Sequence, residues 1–285
     1  GRETLPSMAG EASGGREALP SMAGEASGGR EALPSVAGDA AAGLGGLGGV
    51  GGTARLAGAT AAAPSGASLG FDPAQALRRL RRADPVMARL IKEVGPLGLQ
   101  LSGAPTTFAA LSRSIVYQQL HGRAAAAIYA RLGALFPQSG SALAVEDVMA
   151  ASDEELRGAG LSRAKMLALR DLAERSIAGE VPTLAETETM EDEEIIEELS
   201  HVRGIGRWSA EMFLIFTLGR PDVLPVGDFG VRKGFAARYQ HGVMPTPKEL
   251  SAFGERWKPY RSVASWYLWR AAEADKPRQA LPPDT

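Results

Sequence analysis

From Phe71 onward, apolar residues recur three and four apart in segment after segment, and Gly or Pro closes almost every one. That periodicity belongs to the α-helix, whose side chains three and four apart share one face. It leaves little room for a sheet, and no segment alternates convincingly between apolar and polar residues. Asp72-Pro73 reads as a helix entry, an N-cap followed by Pro in the first turn. Leu77, Leu80, Val86, Met87, Leu90 and Ile91 continue the stripe, which is interrupted at Asp84-Pro85. Helices are expected at Phe108 to Leu120, Ala124 to Phe136, Val145 to Arg157 and Ser162 to Ala178, with Ser162 as an N-cap. Gly103, Pro137, Gly158, Gly160, Gly179 and Pro182 mark the joins. The expected fold class is all-α with short connections.

The first 69 residues differ. Gly1 to Gly15 reads GRETLPSMAGEASGG, and the pattern returns at Arg16 and Arg30 with a period of about 14 residues. A stacked repeat must bury a core, and each unit offers only one Leu and one Met or Val among Gly, Ala, Ser and Pro. The Gly/Ala-rich run to Ser68 continues the theme. Residues 1–69 are therefore expected to be a disordered tail, and residues 70–285 a single functional domain. The tail has too many acidic residues for a transit peptide and no signal-peptide core. The chain opens on Gly1 rather than Met, as expected of a fragment.

Composition then excludes several chemistries. There is no cysteine, so disulfides, thiolate-held zinc and a cysteine-held iron–sulfur cluster are out. His121, His201 and His241 are too widely spread to suggest a metal site. No apolar run is long enough for a membrane helix. The formal net charge is −2, so any nucleic-acid binding must rest on a local basic surface.

Such a surface is expected at Glu191 to Gly219. Ile195, Ile196, Leu199 and Val202 line one helix face, and Trp208, Met212, Ile215 and Phe216 line the next. Between them stands Arg203-Gly204-Ile205-Gly206-Arg207, the turn of a helix–hairpin–helix. Gly204 and Gly206 can take positive φ and leave the backbone bare. The second helix starts with free N–H groups at its positive dipole end, which suits a DNA phosphate. Arg203 and Arg207 flank that seat.

With these residues in view, the chain resembles the helix–hairpin–helix DNA glycosylase superfamily, and within it the 3-methyladenine DNA glycosylase II group. The resemblance rests on Val202 to Ala210, Leu224 to Arg232, Ser114 to Leu120 and Tyr260 to Trp269, taken in order, and spans roughly residues 72 to 274. It implies the helix–hairpin–helix glycosylase fold and base excision repair of double-stranded DNA carrying alkylated bases such as 3-methyladenine and 7-methylguanine. It gives Asp228 the catalytic role. A carboxylate can stabilise the oxocarbenium-like state that forms when an N-glycosidic bond breaks, and can orient water. Asp228 is also placed to cap a helix over Phe229 to Tyr239, and the two roles can coexist.

The position that carries the nucleophilic lysine in strand-nicking relatives is Trp208 here. The resemblance therefore implies a monofunctional enzyme that uses water and leaves an abasic site. The rivals are a bifunctional glycosylase/lyase and a non-catalytic DNA-binding module. An extruded base needs a π-rich pocket, and Tyr117, Trp208, Met212 and Trp269 are the candidates. The resemblance places a DNA wedge at Gln119 or Leu120, though Leu120 is equally well read as core. Trp257 and Trp266 are expected in the core, and Asp222 is expected merely to shape a turn. Backbone contacts are expected from Arg203, Gly204, Gly206, Arg207 and Arg232. Lys233, Arg163 and Lys165 are open between phosphate contacts and solvated charge. No metal or cofactor is expected beyond a monovalent cation at the hairpin when DNA is bound. The substrate implies a monomer in the nucleus, or in the cytoplasm and nucleoid of a bacterium.

Overall fold

A computed structural model describes residues 69–120, 122–140 and 142–275. The tail expected at residues 1–69 lies outside them, apart from Leu69. Thirteen α-helices follow one another among the described residues, and no strand is formed there. They are α1 (Pro73–Ala83), α2 (Pro85–Val94), α3 (Thr107–Tyr117), α4 (Gly122–Leu135), α5 (Val145–Ala150), α6 (Asp153–Gly158), α7 (Arg163–Ile177), α8 (Leu184–Thr187), α9 (Asp192–Ser200), α10 (Arg207–Phe216), α11 (Phe229–Tyr239), α12 (Pro247–Gly254) and α13 (Arg261–Ala274). None is long and apolar enough to cross a membrane.

The helix starts follow local chemistry. Asp72, Asp84, Thr106, Ser152, Ser162, Thr183, Asp228 and Thr246 each accept a first-turn backbone N–H, which satisfies a donor that has no partner within its helix. Two boundaries differ from the sequence expectation. The segment from Val145 to Arg157 is two helices, because Ser152 and Glu155 close a reciprocal capping box that starts a new one. The helix expected to reach Leu120 ends at Tyr117, where Gln118 turns extended and Gln119 takes a φ of 57°. The short helix α8 and α12 also begin on Thr-x-x-Glu boxes, a sequence signal the apolar spacing does not reveal.

Asp84 shows how a cap becomes a tertiary anchor. Its Oδ1 accepts from Val86 N and Met87 N at 2.9 and 3.0 Å, starting α2. Its Oδ2 accepts from the Tyr239 hydroxyl and the Trp257 indole, both at 2.9 Å. Those two rings belong to a cluster with Phe235 and Phe253. Asp84→Ala removes the cap and orphans two enclosed donors, so it is expected to cost about 3–5 kcal/mol. Denaturant unfolding checks this, and a loss below about 1 kcal/mol would mean that water replaces the carboxylate.

Two packing relations position the site. The hairpin helices α9 and α10 pack together, and α10 and α7 both rest on α3. Separately, α11 lies along α13. Gly230 and Gly234, one turn apart on α11, allow that approach. A Cβ at Gly230 would meet Trp269 Cδ1 at 2.8 Å, and one at Gly234 would overlap the backbone of Leu268.

Candidate active site

Asp228 ends the Pro225–Gly227 turn and caps α11. It is completely buried, and its side chain accepts three hydrogen bonds. Oδ1 takes Val231 N at 2.7 Å and the Trp269 indole at 2.8 Å, and Oδ2 takes the Trp208 indole at 2.7 Å. Three N–H donors surround the two oxygens. The N-terminal end of α11 points at the same oxygens. Trp208 comes from the hairpin helix α10 and Trp269 from α13, so the carboxylate joins the hairpin to the closing helix. N-cap and site carboxylate are one residue.

Of the four candidate pocket residues, the structure brings two directly to Asp228. Trp208 is half-buried and Trp269 is buried, stacked on Phe216 with centroids 5.5 Å apart. Met212, one turn after Trp208, lines a cavity of about 110 Å³ with Ser114, Ser209, Phe213, Phe216 and Trp266. Tyr117 does not line that cavity. Its ring is buried under the Arg113 guanidinium at 4.5 Å and stands edge-on to Tyr129, so this pocket candidate is spent on packing. Trp257 is core as expected. Trp266 is buried too, but it also walls the cavity.

Trp269→Phe keeps an aromatic ring, though a smaller one, and removes the donor to Oδ1. Losing a hydrogen bond to a charged acceptor is expected to slow base release about ten- to a hundredfold. Single-turnover assays check this. An unchanged rate would reduce the indole to packing.

The wedge candidates separate as well. Leu120 is half-buried and packs on the core. Gln119 is exposed, in the left-handed backbone region where a residue with a Cβ is uncommon. Gln118 fastens this loop to the hairpin, its amide donating to Gly204 O at 2.9 Å and to Ser209 Oγ at 3.3 Å.

At the hairpin turn, Gly204 has φ +78°, while Gly206 is extended at φ −115°, so only the first uses positive φ. Gly206 is the N-cap of α10 and brings no side-chain cap, unlike the Asp, Ser and Thr caps elsewhere. The first-turn amides of α10 are thereby left for an outside acceptor. Arg203 is exposed, with its backbone N–H on Asp171 Oδ2 at 2.7 Å. Arg207 departs from expectation. Its exposed guanidinium donates to Glu193 at 2.9 Å and to Glu211 at 3.1 Å, so in this structure its charge is met by two carboxylates. Burial pushes the Glu211 carboxyl up to about 7, against the pull of Arg207. Arg232 Nε is bound to Pro245 O at 2.9 Å, which ties α11 to the segment before α12. Lys233 lies 3.9 Å from Asp275.

Three further residues carry structure or surface that the sequence reading missed. Phe229, next to Asp228, is 47% exposed, an apolar ring at the surface beside a buried carboxylate. Asp222 does more than shape a turn: it holds Arg261 through both oxygens at 2.9 Å and staples its loop to α13. Lys165 is half-buried and its amine turns inward. It donates to Val116 O and Gln118 O, each at 2.7 Å, and burial pushes its amine down to about 8.

Comparison with known proteins agrees with this architecture. Residues 112–259 match the family described as HhH-GPD superfamily base excision DNA repair protein. The DNA-3-methyladenine glycosylase 1 of Schizosaccharomyces pombe is 38% identical over 165 residues, covering 57% of this chain and 71% of that protein. A solved structure of the S. pombe 3-methyladenine DNA glycosylase in complex with abasic DNA superposes with a TM-score of 0.63 at 33% identity, covering 70% of this chain and 97% of that one. A DNA-3-methyladenine glycosidase structure from Bacillus halodurans gives 0.63 at 38% identity, covering 69% and 88%. The matched span contains the hairpin and Asp228, and the chain is a member of the HhH-GPD superfamily of base excision DNA repair proteins.

Proposed function

We propose that this chain is a monofunctional DNA glycosylase of base excision repair that extrudes alkylated bases from duplex DNA and hydrolyses their glycosidic bond. The observation that carries the reading is Asp228, fully buried and held by two indoles and a helix N-terminal amide. A carboxylate so fixed costs no reorganisation when the sugar turns cationic, and its charge stabilises that state. Bases such as 3-methyladenine and 7-methylguanine are cationic in the nucleotide, so they leave readily without a strong acid. Trp208, half-buried beside Asp228, offers a π face to such a ring. The names of the similar proteins support this substrate class.

Water is the nucleophile. Trp208 occupies the position of the lyase lysine, and the Lys165 amine points into the α3 carbonyls. Gln119 is the DNA wedge, and Leu120 packs behind it. The uncapped α10 amides with Gly204, Gly206 and the Arg203 side chain seat a backbone phosphate. Turn carbonyls at Val202 and Gly204 each accept one hydrogen bond and keep a second lone pair, and these oxygens would hold a monovalent cation when DNA is bound. No step runs through it. The protein acts as a monomer and resides with DNA, in a nucleus or a bacterial nucleoid.

The test is a duplex with a single 7-methylguanine, resolved with and without hot alkali. Strand breaks only after alkali are expected. Breaks without alkali would replace this reading with the lyase one. Binding with no base release from any alkylated duplex would leave a DNA-binding module.

A further inference from the structure

Lys165 opens an inference about how extrusion is set up. Helix α3 ends beside the hairpin, and its last carbonyls have no partner within the helix. Lys165, from the first turn of α7, reaches across and donates to two carbonyls at that end, Val116 O and Gln118 O, at 2.7 Å each. A cation at the negative end of a helix dipole adds to those bonds. The second carbonyl matters most. The Gln118–Gln119 peptide plane defines φ of Gln119, so fixing the Gln118 oxygen fixes the plane from which Gln119 departs at φ +57°. A non-glycine residue holds that conformation only when its surroundings impose it.

The same face of α7 also sets the hairpin. Three residues on from Lys165, Ala168 abuts Gly204, whose added Cβ would meet it at 3.3 Å. Three further on, Asp171 accepts Arg203 N at 2.7 Å and is itself held by Arg175 at 3.1 Å. Residues 165, 168 and 171 form one stripe about 9 Å long. One end holds the probing loop and the other holds the phosphate-binding turn.

We propose that Lys165 is a positioning residue for base extrusion, anchoring the end of α3 so that Gln119 is held in its left-handed conformation and in register with the hairpin. This rests on the reading of the 118–120 loop as the DNA probe.

The experiment uses the full chain as wild type, Lys165→Met, Lys165→Arg, Gln119→Ala and the Lys165→Met/Gln119→Ala double variant. Extrusion is followed by the fluorescence of 2-aminopurine placed beside a 7-methylguanine, base release by single-turnover alkali cleavage, and affinity on a duplex with a tetrahydrofuran abasic site. Lys165→Met is expected to slow extrusion and release together by about tenfold or more, since small misplacements of a reacting group are costly. Affinity for the abasic duplex, which has no base to extrude, is expected to stay within about threefold of wild type, consistent with phosphate-dominated binding. Arginine can donate to both carbonyls and is expected to recover most of the loss. In the Gln119→Ala background Lys165→Met is expected to cost less than about twofold, because both changes act on one event.

Extrusion at the wild-type rate in a folded Lys165→Met protein would overturn the proposal. So would multiplying losses in the double variant, or a Gln119→Ala protein that extrudes normally. If the Met variant does not fold, Lys165→Gln, which keeps a single donor arm, is read by the same criteria. A wild-type protein that releases no base would instead sink the glycosylase reading, and this proposal with it.

Discussion

Asp228→Asn is expected to lower base release by about two to three orders of magnitude, the scale of losing a fixed electrostatic stabiliser in a water-excluded site. The substitution is nearly isosteric and retains one oxygen. With that oxygen kept at the Oδ1 position, it still accepts from Val231 N and Trp269, so α11 keeps its cap. Asn is as good an N-cap as Asp, and the fold is expected to survive. The new amide then faces the Trp208 indole, a donor against a donor where 2.7 Å had joined donor and acceptor. Charge is lost at the sugar, and one wall of the pocket loses its anchor. Affinity for an abasic duplex is expected to hold, because phosphate contacts come from the hairpin. Single-turnover release and melting temperature measured together decide the matter. Full release by a stably folded Asp228→Asn protein would leave Asp228 as a cap alone.

The second large effect is expected at Gly234. In a helix interior, Gly→Ala ordinarily stabilises by about 1 kcal/mol. Here the sign is expected to reverse, with a cost of about 3 kcal/mol or more. The methyl would overlap the Leu268 carbonyl, and a backbone atom in a packed helix has no rotamer by which to yield. Helices α11 and α13 must then separate. Asp228 heads α11 and Trp269 follows Leu268 on α13, so the same separation stretches the 2.8 Å bond between them. Release is therefore expected to fall even in molecules that remain folded. Denaturant titration gives the stability change, and single-turnover kinetics below the transition give the second effect. A Gly234→Ala protein at least as stable as wild type would show that the two helices slide apart at little cost.

The chain's own sequence determined the all-α fold, most helix entries and the hairpin. Asp72, Ser162 and Asp228 cap as expected because a cap bonds an amide two or three residues away, a distance that sequence spacing fixes. The pairing of Arg207 with Glu211 has the same local spacing, i and i+4, and was open to the same reasoning. The Gly230-x-x-x-Gly234 spacing was visible too, although nothing local says which helix it admits. The tertiary structure alone decided where side chains of ambiguous type turned. Arg207 bonds Glu193 across 14 residues, Trp269 bonds Asp228 across 41, and Lys165 bonds Val116 across 49. Tyr117 met Tyr129 of α4, and Lys165 went to carbonyls at the end of α3. Local spacing cannot supply such choices, because an amine or a ring is satisfied by any acceptor or apolar wall within reach. Which one lies within reach depends on how whole helices pack.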